Sequence, residues 1–264
     1  GIKRYVHLGT GNYNDQTAKL YTDMGLLTCS DPIGEDATAV FNMLSGYSEP
    51  GKWNKLAVAP IWLKDKFLML INREAENARQ GKKARIIAKM NSLCDPKVME
   101  ALYDASAAGV KIDLIVRGIC CIKAGVPGLS ENISVRSIVG NSLEHSRTFY
   151  FFNDGFEDIY MGSADWMPRN LDKRVEITFP VEDPDLKKRI KDILKIQLAD
   201  TLKAHIMQPD GSYEKQDLRG KVKLDSQMYF AEEARKRSAK PEDADAAISH
   251  DRVFIPIEAE ESEH

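Results

Sequence analysis

A chain of 264 residues with 43% hydrophobic side chains carries enough apolar material for one large domain, or for one domain and part of another. Its 37 basic and 40 acidic residues leave a net charge of −3, so no global basic excess marks nucleic acid or a membrane surface as a partner, and any polyanion site must be a local gathering of Lys and Arg. No apolar run approaches the roughly 18–20 residues needed to cross a bilayer.

In chain order, residues 2–8 predict a strand running into a Gly-rich turn, and residues 18–28 are apolar enough for a second. Asp31-Pro32 opens a helix that runs to about residue 44. The turn-rich stretch 47–52 is the expected domain boundary, dividing residues 1–52 from 53–207. A regular alternation follows: strand 56–60, amphipathic helix 64–80, strand 84–90, helix 95–108, strand 111–117. That β-α-β-α-β order favours a parallel sheet with helices on its faces. Further strands are predicted at 133–139, 148–152, 159–162 and 175–180, with a helix over 185–202. Residues 208–264 read as a helix near 227–238 and a loosely ordered acidic end at 258–264. The four cysteines, Cys29, Cys94, Cys120 and Cys121, make no Cys-x-x-Cys pair and read as buried, reduced thiols of a cytoplasmic protein.

Two stretches repeat one another. His7-Leu8-Gly9-Thr10-Gly11-Asn12-Tyr13 aligns with Tyr160-Met161-Gly162-Ser163-Ala164-Asp165-Trp166, and in each a carboxylate follows 16 residues after the first position, Asp23 after His7 and Glu176 after Tyr160. The repeat predicts two related half-sites. Only the second is preceded by His145-Ser146-Arg147, whose first and third side chains share a face if the segment is a strand. A hairpin return would bring Ser163 and Asp165 beside His145, with Glu176 accepting the Nδ1 proton of His145, and Gly162 would let backbone N–H groups approach an anion. Imidazole, guanidinium and backbone amides together suit phosphoryl chemistry. Arg117, at the end of an apolar strand, sits where open α/β sheets place ligands. Lys89 and Arg136 are candidates to extend a basic lining. Arg174 and Arg169 are candidates with surface ion pairing as the competing role. Tyr21 suits core packing or stacking on a base, and His7 suits packing at least as well as catalysis. His205, His250 and His264 lack partners at suggestive spacing.

At these residues the chain resembles the C-terminal part of bacterial polyphosphate kinases. The likeness runs from Arg4 to about Lys203 and rests on Tyr-Val-His-Leu-Gly-Thr-Gly-Asn-Tyr-Asn (5–14), Leu-Tyr-Thr-Asp (20–23), Leu-Ile-Val-Arg-Gly-Ile-Cys (114–120), Gly-Leu-Ser-Glu-Asn-Ile (128–133), Leu-Glu-His-Ser-Arg (143–147) and Ser-Ala-Asp-Trp-Met-Pro-Arg-Asn (163–170). The resemblance implies an α/β fold of the phospholipase-D-like kind: a mixed, largely parallel sheet flanked by helices, with residues 1–52 as the tail of a preceding similar domain. It implies reversible transfer of the ATP γ-phosphate to inorganic polyphosphate through a phosphohistidine. That histidine belongs to a His-Ala-Lys motif ahead of residues 2–8, so the sequence reads as a fragment that is inactive alone. Mg²⁺ is implied as a cofactor, with its ligating region outside this chain. By motif, Tyr21, Arg117 and His145 match nucleotide-contacting positions, His145 is also the implied proton donor, and Arg174 meets phosphate. Arg147 joins Arg117 and Arg174 in neutralising phosphate charge, and Asp23 and Glu176 match the carboxylates that orient the two histidines. ATP, ADP and polyphosphate are the implied partners, without nucleic acid, in a cytoplasmic protein that is homo-oligomeric at full length, peripheral membrane association being an alternative. Two other functions compete: a phospholipase-D-like phosphodiesterase or nuclease, and an inactive nucleotide- or polyanion-binding module.

Overall fold

The computed structural model describes residues 3–46 and 51–238. Strand β1 (Val6–Gly9) is followed by a 3-10 turn at Thr17–Lys19, the two-residue strand β2 (Tyr21–Thr22) and strand β3 (Gly25–Thr28), which pairs antiparallel with β1. The continuous strand predicted over 18–28 is therefore broken. Its first part leaves β1 and pairs in parallel with β8 (Leu143–Glu144), matching Tyr21 with Leu143 and Thr22 with Glu144. That break carries Asp23 across to the later part of the chain.

Helix α1 (Asp31–Leu44) begins with proline in its first turn, where the missing N–H is no loss because the first N–H groups of a helix have no intrahelical acceptor. Its Asp36 is buried and accepts hydrogen bonds from the backbone N–H groups of Asn54 at 2.9 Å, Lys55 at 2.7 Å and Leu56 at 2.8 Å. A buried carboxylate is tolerated when donors surround it. Here those donors fasten α1 to the segment leading into β4 (Ala57–Ala59). Of the expected boundary at 47–52, residues 47–50 lie outside the described residues.

Helices α2 (Leu63–Arg79) and α3 (Pro96–Ala107) alternate with β5 (Arg85–Met90), β6 (Lys111–Val116) and β7 (Ile133–Ile138). After β8 come β9 (Arg147–Phe151), β10 (Asp158–Gly162), the short helix α4 (Pro168–Asp172), β11 (Glu176–Pro180), α5 (Pro184–Leu198), β12 (Ala204–Met207) and β13 (Tyr213–Lys215). Nine strands form one sheet in the order β13-β12-β7-β6-β5-β9-β10-β11-β4. The architecture is mixed α/β. Parallel pairing is confined to the centre, β5–β6–β7, and the strands to either side pair antiparallel. β4 opens the predicted alternation but does not lie beside β5. It pairs with β11 at the far edge, so α2 crosses back over β11, β10 and β9 before the chain enters the sheet again. The limit predicted at residue 207 falls inside this unit, because β13 extends the sheet and Ser226 is held by Asp200 Oδ2, at 2.8 Å from its N–H and 2.7 Å from its hydroxyl.

Alternation of side chains across the strands builds a core on each face. Ile86, Ala88, Met90, Phe149 and Phe151 point to one face, where Phe67 and Leu70 of α2 and Leu102 of α3 cover them. Ile87, Tyr150, Ile159 and Met161 point to the other, against Ile190 and Leu194 of α5. Central strands buried on both faces explain why the sequence there reads as nearly continuous apolar runs. Leu8, Ile33 and Val40 join the second core, so the opening segment is packed onto this sheet. Helix α6 (Ser226–Ser238), from Gln227 onward, belongs to a separate unit and ends in Arg235, Lys236 and Arg237. The acidic stretch 258–264, His250 and His264 lie outside the described residues. Among the described residues, no helix is long and apolar enough to cross a membrane.

Candidate active site

The site forms at the C-terminal ends of the parallel strands. Asn91 follows β5, Arg117 follows β6, and His145 lies between β8 and β9 with its backbone N–H and that of Ser146 both donating to the Thr22 carbonyl, at 3.1 and 3.0 Å. Only 9% of His145 is exposed. Its Nδ1 lies 2.9 Å from Oδ2 and 3.0 Å from Oδ1 of Asp23. A carboxylate only accepts, so the proton of the neutral ring sits on Nδ1 and Nε2 keeps its lone pair. Arg147 Nη1 stands 3.0 Å from that Nε2. The Tyr21 ring lies against the imidazole, centroid to centroid at 4.4 Å.

The carboxylate on His145 is thus Asp23, and the expectation of Glu176 in that place is corrected. Glu176 is taken up by the Ser163 hydroxyl at 2.5 Å and by Asn170 Nδ2 at 2.6 Å. The cause is the broken strand: β2 pairs with β8, the two residues before His145, and delivers Asp23 from the opposite repeat.

The repeat seen in the sequence recurs atom for atom. Thr10 Oγ1 donates to Asp23 at 2.8 Å and accepts from Met24 N–H at 3.0 Å, while the Thr10 N–H donates to Met24 O at 2.9 Å. Ser163 Oγ donates to Glu176, accepts from Ile177 N–H at 3.2 Å, and its N–H donates to Ile177 O at 3.0 Å. Each half-site is therefore a hydroxyl-buttressed carboxylate. Gly162 plays another role than anion contact: a Cβ there would lie 2.6 Å from Ile177 O, so the glycine permits close packing of β10 on β11.

Arg147 does not present its guanidinium to a phosphate. It is buried and braced, with Nε 3.1 Å and Nη2 3.3 Å from the two oxygens of Asp165 and Nη1 3.1 Å from the Thr10 carbonyl. That corrects its expected role, because a bidentate pair with buried Asp165 uses the fork that would grip phosphate. Lys89 is likewise no lining residue. At 2% exposure it donates to the Ser146 carbonyl at 2.8 Å and hydroxyl at 2.9 Å, with Glu144 3.4 Å away. Burial pushes its ammonium down from the ordinary lysine value, against the opposing pull of Glu144. Asp23 is also lowered, but for the opposite reason. Burial resists its ionisation, but hydrogen bonds from His145 and Thr10 and the positive charge nearby outweigh burial and hold the carboxyl below its usual value.

Arg117 is half-buried and uses Nε to donate to Asn91 Oδ1 at 3.0 Å. Arg174 is exposed two residues before Glu176. Arg169 is also exposed. Arg136 is turned away from the site and donates to the Leu198 carbonyl. His7 is exposed and shares a hydrogen bond with the Tyr13 hydroxyl. A cleft of about 590 Å³ opens beside Asp23 and Tyr21, lined also by His7, Asn12 and Tyr13. The cysteines are free as predicted, but Cys29 and Cys121 are exposed, because they lie in loops outside both cores. Cys120 is mostly buried, which pushes its thiol up to about 11.

Sequence reasoning passed over Asn91. It occupies the position after β5 that Arg117 occupies after β6, and that parallel was the available signal.

Two family models cover this arrangement. One, described as Polyphosphate kinase C-terminal domain 2, matches residues 56–227, and the other, Polyphosphate kinase C-terminal domain 1, matches residues 1–50. The chain belongs to the polyphosphate kinase family. The polyphosphate kinase of Synechocystis sp. is 57% identical over 212 residues, covering 80% of this chain and 29% of its own length. That of Lactiplantibacillus plantarum is 48% identical over 264 residues, 100% of this chain and 37% of its own length. The crystal structure of polyphosphate kinase from Porphyromonas gingivalis superposes with a TM-score of 0.85 at 39% identity, covering 89% of this chain and 36% of that one. The chain thus spans about a third of the length of the polyphosphate kinases it matches.

Proposed function

We propose that this chain supplies the acid and phosphate-holding half of a polyphosphate kinase active site, in a protein that reversibly transfers the γ-phosphate of ATP to inorganic polyphosphate. The observation that carries the reading is the pair of hydroxyl-buttressed carboxylates, one of which, Asp23, already holds His145. By the symmetry of the repeat, Glu176 is the acceptor for a second histidine, which lies outside this chain.

In the forward direction that second histidine attacks the γ-phosphorus in line. An N–P bond forms, the bond from the γ-phosphorus to the bridging oxygen breaks, and ADP leaves. His145, protonated on both nitrogens with its Nε2 released from Arg147 Nη1, gives the Nε2 proton to the departing oxygen, and Asp23 stabilises the imidazolium. General acid catalysis of this kind is worth roughly 10²–10⁴-fold. Arg117 and Arg174 hold phosphate oxygens, and Tyr21 flanks the nucleotide. Arg147 keeps His145 and the Thr10 turn in register. Phosphoryl transfer depends mainly on such positioning and charge neutralisation.

The residues present do not fit Mg²⁺. Asp23, Asp165 and Glu176 are each engaged by hydrogen bonds, and among the described residues no group of three or more His, Cys, Asp or Glu suits a metal. Dependence on ATP favours the cytoplasm for the working protein, and the reading carries a homo-oligomer at full length. The test is to assay the full-length protein for ATP-dependent phosphate polymerisation and for phosphodiester cleavage. Polymerisation supports the reading; cleavage alone turns it into a phosphodiesterase.

A further inference from the structure

Asn91 belongs to neither half-site, yet it joins the groups that the proposed chemistry needs in fixed relation. It is 5% exposed. Its Oδ1 accepts from Arg117 Nε at 3.0 Å, and its Nδ2 donates to the His145 carbonyl at 3.2 Å. Its own N–H donates to Asp165 Oδ1 at 2.8 Å, and its carbonyl accepts from Gly118 N–H at 2.7 Å. Gly118 allows that approach, since a Cβ there would stand 2.9 Å from Asn91 O. Arg117 is therefore held beside Asn91 at both ends, through the backbone of its neighbour and through its own side chain.

We propose that Asn91 is a positioning residue that sets the orientation of the Arg117 guanidinium relative to His145. The inference rests on the reading of Arg117 as a phosphate ligand. An amide suits the place because the two demands are opposite. Arg117 requires an acceptor and the His145 carbonyl requires a donor, and a primary amide offers both from one planar group. Leucine would offer neither, and aspartate would offer acceptors only, one of them facing Asp165. With Nε engaged, the guanidinium loses rotation about its last bonds, and the four Nη hydrogens remain for ligand. Among the described residues no hydrogen bond or ion pair occupies them. A pre-oriented fork loses less freedom on gripping a phosphate than one that swings in solvent.

The experiment is a double-mutant cycle in the full-length polyphosphate kinase that carries this chain, using Asn91→Ala, Asn91→Ser, Arg117→Ala and the two combinations. KM for ATP and kcat are measured, with thermal unfolding as the control for folding. Each Asn91 variant raises KM for ATP about tenfold, the loss expected for one hydrogen bond to a charged group, while kcat falls less. In the Arg117→Ala background the same change adds less than about twofold, because nothing remains to be oriented. A merely structural Asn91 would act equally in both backgrounds. A full tenfold added effect on top of a defective Arg117→Ala overturns the inference and leaves the reading of Arg117 standing. An Arg117→Ala enzyme with wild-type KM and kcat overturns both. If Asn91→Ala fails to fold, the smaller Asn91→Ser change decides between the same outcomes.

Discussion

Replacing Asp23 by Asn probes the pairing that joins the two repeats. The carboxylate holds His145 Nδ1 through contacts of 2.9 and 3.0 Å and also accepts from Thr10. A hydrogen bond to a charged group contributes about 1.5–3 kcal/mol, which corresponds to roughly 10–150-fold in rate if it is lost from the transition state. The Asp23 side chain is 26% exposed, so solvent screens part of the interaction and the lower half of that range is expected, about 10–50-fold. The turn itself should survive, since Thr10 still accepts from Met24 N–H and donates its own N–H to Met24 O. The assay is kcat for polyphosphate synthesis by full-length enzyme, together with the nitrogen chemical shifts of His145, which report whether the proton remains on Nδ1. A folded Asp23→Asn enzyme with kcat within twofold of wild type would refute the argument.

Three further outcomes follow from the same contacts. Arg147→Met leaves Asp165 buried without its bidentate partner, and urea unfolding should show a loss of about 3–5 kcal/mol; a loss under about 1 kcal/mol contradicts the brace. Asp36→Ala orphans three backbone N–H groups at the start of β4 and should cost about 2–4 kcal/mol, with proteolysis between α1 and β4 accelerating in parallel. Because the folded Asp23 carboxyl titrates below its ordinary value of 3.8, its contribution to stability is complete above that pH and fades as pH falls below it. Acid unfolding of Asp23→Asn should therefore lack that component, and a variant with the wild-type acid profile would show that the pairing contributes nothing.

The strand and helix pattern of the second domain was legible because buried strands and amphipathic helices impose their periods on sequence. Helix 31–44 and strand 133–138 follow directly from Pro32, from apolar spacing and from flanking turns. The repeat around Gly9 and Gly162 was legible too, with a later carboxylate in each copy, but that each hydroxyl holds its own carboxylate became visible only in the fold. What the spacing did not contain was the crossing of partners. Asp23 meets His145 because Tyr21 and Thr22 pair with Leu143 and Glu144, a contact between segments 122 residues apart with no local pattern to announce it. The position of β4 is a similar case. Its sequence reads as a strand, but only the antiparallel register with β11 decides that it lies at the sheet edge. Arg147 and Lys89 misled for another reason. A basic residue near a site resembles an anion ligand in sequence, and only burial against Asp165 or Glu144 reveals that its charge is already answered.

Removing the imidazole itself tests the central claim most directly. In full-length enzyme, His145→Ala should retain the wild-type fold while polyphosphate synthesis falls by roughly 10²–10⁴-fold. A folded His145→Ala enzyme that makes polyphosphate at close to the wild-type rate would contradict the assignment of His145, and with it the role given to Asp23.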